Sequence, residues 1–105
     1  MTIPKTLNNS DANKAKRTVR DLEVFGYGDM FHLLSKASSE SEGWMKSTKA
    51  MQIRGGAGCV VQVTTQQRNP DGSYAVAEAL TFVPGVYIVD REDGGRELGA
   101  PTFKR

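Results

Sequence analysis

Apolar and polar side chains alternate strictly on both sides of an Asn-Pro-Asp-Gly sequence at residues 69–72. Alternation over more than four residues is typical of a half-buried strand, and proline and glycine supply the backbone angles that a tight reversal requires. The Pro-Gly pair at residues 84–85 favours a wider corner. The chain from Cys59 to Val89 is therefore predicted to be an antiparallel β-meander, with strands over residues 59–67, 73–83 and 86–90. Further strands are expected over residues 44–53 and 96–98.

The N-terminal part of the chain has helical spacing instead. Short polar residues at Ser10, Asp11 and Asp29 are candidate N-caps, because their oxygens can accept from the free N–H groups of a first turn. Two such helices would be short and marginal alone, so they need a sheet to cover their apolar stripes. Those stripes consist of Ala12, Ala15, Val19 and Leu22 for the first helix and of Met30, Leu33, Leu34 and Ala37 for the second.

These patterns together predict an α+β fold, with two N-terminal helices packed on a three- to five-stranded antiparallel β-meander. A chain of 105 residues has room for one such domain. We expect a flexible arm over residues 1–9, a single domain over residues 10–99 and a C-terminal tail over residues 100–105.

The chain has no apolar run near the roughly 20 residues needed to cross a bilayer, and its N-terminus lacks the apolar core of a secretory signal. Its one cysteine, Cys59, cannot form an intramolecular disulfide, which agrees with a reducing compartment. We therefore expect a cytoplasmic protein without membrane contact.

Charge is distributed unevenly although the net charge is only +2. The first twenty residues contain five basic side chains against one acidic, and the next twenty-five contain five acidic against one basic. Such asymmetry can steer a partner, although a charged helix face is usually only solvated. The candidate interaction surface consists of Lys14, Arg17, Arg20 and Trp44.

The residues that could carry catalysis are sparse. His32 is the only histidine, and no serine or cysteine motif supplies a nucleophile for it. One histidine and one cysteine do not make a structural zinc site, and the carboxylates lack the spacing of a calcium-binding loop. We therefore expect a protein that is not an enzyme and that uses neither a cofactor nor a metal.

A glycine-rich segment over residues 54–58 is the best candidate for ligand binding. Glycine amides beside Arg54 could hold an anion, but a strand follows the loop where a true phosphate fingerprint has a helix. Glu78 interrupts an otherwise apolar strand, so it is either a structural or exposed carboxylate or a ligand contact. The full candidate set is Lys46, Lys49, Arg54, Gly55, Gly56, Gln62 and Glu78.

Three segments, at residues 43–51, 58–67 and 76–85, resemble small uncharacterised bacteriophage-type proteins. They read GWMKSTKAM, GCVVQVTTQQ and VAEALTFVPG and cover about half of the chain. The resemblance implies a small accessory protein that acts by binding. It does not point to a named family with a known fold or known site residues.

Two functions remain open at this point. The first is a non-enzymatic binding protein that engages a host or bacterial protein or forms a homo-oligomer. The second is nucleotide or nucleic-acid binding through residues 54–58 and nearby basic residues. Salt-sensitive binding to phosphate polymers would favour the second function, whereas concentration-dependent burial of Trp44 would favour self-association.

Overall fold

A computed structural model describes residues 15–17 and 19–101 of the chain. The strands are β1 (His32–Ser39), β2 (Trp44–Ile53), β3 (Gly58–Arg68), β4 (Tyr74–Pro84), β5 (Tyr87–Asp90) and β6 (Arg96–Gly99). The first four strands form one sheet in the order β1-β2-β3-β4, in which each strand is antiparallel to its neighbours. The last two strands form a separate antiparallel hairpin.

The predicted antiparallel pairing of β2, β3 and β4 is confirmed, but β5 does not extend this sheet and pairs with β6 in a separate hairpin. Strand β2 has the predicted bounds, and β3 and β4 differ from the prediction by one residue at each end. The Asn-Pro-Asp-Gly turn connects β3 to β4, because the Asn69 N–H donates to the Ser73 carbonyl at 2.7 Å and the Gly72 N–H donates to the Asn69 carbonyl at 3.0 Å. Gly72 adopts a φ of +88°, which is the left-handed conformation that this reversal needs.

The predicted α+β class, with two N-terminal helices, is wrong. Ala15 is helical and accepts a hydrogen bond from the Val19 N–H at 2.9 Å, but residues 19–31 form turns and irregular backbone. The helical element of the described chain is a single 3-10 turn, Arg54–Gly56. The proposed caps Ser10 and Asp11 and the arm over residues 1–9 lie outside the described residues, as do residues 102–105 of the predicted tail.

The second predicted helix is strand β1, and a β-bulge explains the misleading spacing. Leu33 pairs with Lys49 and Ser35 pairs with Thr48, so Leu34 is the extra residue between two consecutive pairs. An extra residue shifts the phase of alternation by one position. The intervals between Met30, Leu33, Leu34 and Ala37 then imitate the period of a helix.

The hydrophobic core of the described residues is small. Leu34, Ala50 and Cys59 are its buried members, and Val61, Val86, Ile88 and Leu98 pack against them half-buried. The molecule measures 60 × 30 × 25 Å, with a radius of gyration of 16.2 Å. A compact domain of about 100 residues has a radius of gyration near 13 Å, so this molecule is more extended than a typical compact domain. The described part contains no helix long and apolar enough to cross a membrane.

Candidate interaction face

The two faces of the four-stranded sheet differ in what covers them. Side chains that pair across antiparallel strands point to the same face, so the register assigns every position. We call one face the open face; it carries Leu33, Lys36, Ser38, Met45, Ser47, Lys49, Met51, Ile53, Val60, Gln62, Thr64, Gln66, Tyr74, Val76, Glu78, Leu80 and Phe82. The opposite face, the hairpin face, carries the core residues Ala50, Cys59 and Val61.

The β5–β6 hairpin packs on one end of the hairpin face. The Ile88 N–H donates to Gln52 Oε1 at 3.1 Å, and the Cys59 thiol donates to the Val86 carbonyl at 3.6 Å. Burial raises the pKa of the Cys59 thiol, because a low-dielectric environment disfavours the thiolate. Cys59 is thus a small apolar core residue in its protonated form, rather than a reactive thiolate.

No second sheet covers the open face within residues 19–101, and its β4 side chains are the most exposed apolar groups of the sheet. Tyr74, Val76, Leu80 and Phe82 are 50%, 57%, 63% and 51% exposed. Isolated exposed apolar residues are normal on protein surfaces, but these four form two pairs on one face of one strand, with Glu78 between the pairs. Such an arrangement is typical of an interaction site.

A polar row crosses the middle of the open face at right angles to the strands. Lys36 pairs with Ser47, Ser47 pairs with Thr64, and Thr64 pairs with Glu78, so the row begins with a cation on β1 and ends with an anion on β4. The Thr64 hydroxyl donates to Glu78 Oε1 at 3.5 Å. Partial burial lowers the pKa of Lys36, and the neighbouring positive charge of Lys49 lowers it further.

Apolar rows lie on one side of this polar row. The next row joins Leu33, Lys49, Gln62 and Leu80, so it is apolar at both ends and polar in the middle. The row after that joins Met51, Val60 and Phe82 and is entirely apolar. The open face therefore combines an apolar half with a charged central row.

The structure divides the predicted ligand-binding residues among three places. Lys49, Gln62 and Glu78 lie on the open face, and Lys49 pairs directly with Gln62. Lys46 lies on the hairpin face. The remaining three form the turn between β2 and β3 at the end of the sheet, namely Arg54, Gly55 and Gly56.

The predicted interaction surface is divided as well. Trp44 and Lys46 line a groove of about 420 Å³ on the hairpin face, beyond the end that the β5–β6 hairpin covers, with Ala75 and Ala77 of β4 on its other side. Arg17 and Arg20 are exposed residues of the segment before the sheet. Lys14 lies outside the described residues.

A second cavity, of about 720 Å³, lies along the edge of β1. Tyr27, Met30 and Phe31 line it together with Arg96, whose Nη1 donates to the Leu33 carbonyl at 2.9 Å. His32 is also on its wall and is exposed. The described residues contain no cluster of three or more histidine, cysteine, aspartate or glutamate side chains that could hold a metal ion.

Sequence reasoning did not identify several residues of the open face as functional. Lys36 was missed because the helical spacing places it on a helix rather than opposite Ser47. Val76, Leu80 and Phe82 share a face with Glu78, as alternation along one strand requires, but the signal that marks them as a site is the absence of a covering sheet in the described chain. That absence follows from the position of the β5–β6 hairpin, which alternation alone does not predict.

No curated protein and no solved structure matches the chain. A family model, the Lockin family, matches residues 2–99. That match includes the whole four-stranded sheet with its open face and the β5–β6 hairpin. The chain belongs to the Lockin family.

Proposed function

We propose that this protein is a non-enzymatic interaction module that pairs with a second copy of itself through the open face. The observation that carries the proposal is the exposure of Tyr74, Val76, Leu80 and Phe82 on a face without a covering sheet in the described chain. Burial of apolar surface is the main driving force of protein association, at about 25 cal/mol per Å². A second sheet on this face would complete a two-layer β-sandwich.

The small core supports the same conclusion. Only Leu34, Ala50 and Cys59 are buried hydrophobic residues in the described part of the chain. A domain with so little apolar burial is marginally stable by itself, because conformational entropy opposes folding at every residue. Association stabilises such a domain by mass action, since the partner binds the folded state and not the unfolded one.

The size of the open face is sufficient for a specific dimer. Four strands spaced about 4.8 Å apart and 8 to 11 residues long, at about 3.3 Å per residue, present a face of about 600 Å². Specific interfaces bury about 600 to 1,000 Å² on each partner, so the open face is at the lower end of that range. Stacked sheets pack about 10 Å apart, which leaves room for side chains from both layers.

The competing proposal of nucleotide or nucleic-acid binding receives less support from the geometry. Along β2, Lys49 is four residues from Ile53 and Lys46 is seven, which corresponds to about 13 Å and about 23 Å from the turn over Arg54–Gly56. Lys46 also lies on the opposite face from Lys49. The basic side chains therefore do not converge on the glycine-rich turn.

The resemblance to bacteriophage-type proteins adds a further alternative to the proposal, in which the occupant of the open face is a host or bacterial protein. The second copy is favoured over that alternative because Lys36 and Glu78, at the two ends of the polar row, can each meet the opposite charge in a second copy. In the alternative, a single copy of this chain would bind the host protein.

The test is sedimentation velocity of the full chain from low to high micromolar concentration, with a native mass and an ultraviolet spectrum of the same sample. We expect a concentration-dependent shift from monomer to dimer and a spectrum free of nucleotide. A monomer at every concentration would overturn the proposal, and excess absorbance in the nucleotide band with added mass would replace it with phosphate binding.

A pair of matched variants assigns the face. Leu80→Glu places a charge on the open face, whereas Val63→Glu places one on the exposed end of the hairpin face. We expect Leu80→Glu to shift the equilibrium to monomer and Val63→Glu to leave the dimer intact. Equal effects of the two variants would show that the open face is not the interface.

A further inference from the structure

We infer that the row formed by Lys36, Ser47, Thr64 and Glu78 fixes how the two copies stack, with Lys36 of each copy facing Glu78 of the other. This inference rests on the proposed self-association. It adds a unique orientation, in which the two-fold axis runs parallel to the strands between the two open faces.

The geometry of that axis follows from the sheet order. A two-fold axis parallel to the strands exchanges left and right but leaves every position along the strand direction unchanged. Strand β1 of one copy then lies over β4 of the other. Each cross-strand row lies over the same row of the other copy, which runs in the opposite direction. Because Lys36 and Glu78 are the two ends of one row, they meet their opposite charge in the partner twice per dimer.

Two further rows match under the same operation. In the row Leu33, Lys49, Gln62, Leu80, the apolar end residues face each other across the dimer, and Lys49 faces Gln62. In the next row, Met51 of one copy faces Val60 of the other. The row on the other side of the polar row does not match, because Ser38 faces Val76 and Met45 faces Gln66. The polar row and the two rows that contain Leu33 and Met51 are therefore self-complementary, as an isologous two-fold interface requires.

The alternative face-to-face arrangement has its axis perpendicular to the strands. It places β1 over β1 and β4 over β4, so centring it on the polar row brings Lys36 near Lys36 and Glu78 near Glu78. Like charges at a partly desolvated interface are unfavourable, and they oppose this arrangement.

Two further observations agree with the parallel axis. Stacked sheets cross at about 30°, which displaces the ends of the row by only about 4 Å, and lysine and glutamate side chains are long enough to accommodate that shift. Burial lowers the pKa of Lys36, and the positive charge of Lys49 in the same copy lowers it further. A carboxylate from the partner would offset that positive charge.

Zero-length coupling with a carbodiimide tests the contact on the unmodified full chain. The reagent joins an amine to a carboxylate only when the two groups touch. Within one copy, Lys36 and Glu78 are three strand spacings apart, about 14 Å, so an amide between them must connect two copies. We expect the dimer band to yield the peptide pair that links Lys36 to Glu78.

Charge reversal provides an independent test. Lys36→Glu and Glu78→Lys each create like-charge contacts at two symmetric positions, and we expect each to raise the dimer Kd by about tenfold or more. The double variant Lys36→Glu/Glu78→Lys restores opposite charges and should return the Kd close to the unmodified value. Lys46→Glu on the hairpin face is the matched control and should leave the Kd unchanged.

The outcomes separate this inference from the proposed function. A dimer that gives no link between Lys36 and Glu78, or one that the double reversal does not rescue, would overturn the orientation while leaving self-association in place. A dimer joined along the β4 edge would give that result, since it keeps Lys36 far from the partner. A monomeric protein would overturn both.

Discussion

Gly58 lies so close to the backbone of Val83 that a Cβ at this position would overlap the Val83 carbonyl oxygen. The same Cβ would also lie 2.8 Å from the Pro84 Cα. Gly58 opens β3 at the point where β4 ends, and its φ of +139° is outside the range that other residues adopt readily. This contact joins the two strands at the corner that leads to the β5–β6 hairpin.

We predict that Gly58→Ala lowers the free energy of unfolding by about 3 kcal/mol, from overpacking together with backbone strain. Gly56→Ala is the matched control, because Gly56 also has a positive φ but no atom within 4 Å of the added Cβ. Gly56→Ala should lower the free energy of unfolding by about 1 kcal/mol. Urea denaturation at one fixed protein concentration measures the free energy of unfolding of both variants. Similar decreases in the two variants would mean that the backbone around Gly58 accommodates the added Cβ without an energetic cost.

The Arg96 side chain connects the β5–β6 hairpin to the edge of the four-stranded sheet. Its Nη1 donates to the Leu33 carbonyl at 2.9 Å, and its Nε forms an ion pair with Asp90 Oδ1 at 3.1 Å. We predict that Arg96→Ala lowers the free energy of unfolding by about 1 to 2 kcal/mol, because a charge-assisted, partly buried hydrogen bond is lost.

Arg91→Ala is the control for that variant. The ion pairs of Arg91 with Asp93 and Glu97 join side chains that are all more than half exposed, so their loss should cost less than about 0.5 kcal/mol. Hydrogen exchange of the β5 amides gives a second measurement and should accelerate only in Arg96→Ala. A larger loss in Arg91→Ala would place the attachment of the hairpin elsewhere.

The turn between β3 and β4 contains Asp71, and two hydrogen bonds explain the direction in which the pKa of its carboxyl is shifted. Asp71 accepts hydrogen bonds from the Ser73 hydroxyl and from the Ser73 N–H, the latter at 2.9 Å, and these bonds lower the pKa of the Asp71 carboxyl. Both donors favour the ionised form. The pKa of Asp71 is therefore expected below the ordinary aspartate value of about 3.9.

We predict that Ser73→Ala raises the pKa of Asp71 toward its ordinary value, because the hydroxyl donor is lost while the backbone N–H remains. Carbon-detected NMR titration of the aspartates measures this change. Asp93 is an internal control, since its pKa is lowered by the Gly95 N–H and then by Arg91 and should not move. An unchanged pKa for Asp71 would mean that the hydroxyl does not donate to it.

The sign of the pH dependence follows from the depressed pKa of Asp71. The folded state binds a proton at this group less readily than the unfolded state does, so its stabilisation is fully present above the unfolded value of about 3.9. It is lost as the pH falls through the folded pKa. Unmodified protein should therefore lose more stability than Ser73→Ala over this acidic range.

Much of the sheet could be predicted from the sequence because alternation and turn chemistry act locally. The bounds of β2, the Asn-Pro-Asp-Gly turn and the face assignment in β3 and β4 all follow from residues within a few positions of one another. Strand β1 could not be predicted in this way, because the bulge at Leu34 disturbs the alternation and pairing with β2 determines its conformation.

The candidate site was predicted only in part for a related reason. Lys49, Gln62 and Glu78 were named from the sequence and share the open face, but Lys46 and Trp44 point to the other side of the sheet. The importance of Lys36 depends on a register that crosses four strands, and no local pattern encodes that register.

The sequential order of the meander has a kinetic consequence. The loops between consecutive strands of the four-stranded sheet span residues 40–43, 54–57 and 69–73, so all three strand pairings close over very short segments. Short closures cost little chain entropy, and proteins dominated by local pairings fold faster than those with long crossovers. The meander can therefore assemble hairpin by hairpin, and in the proposed dimer the encounter of two finished sheets is the slow, concentration-dependent step.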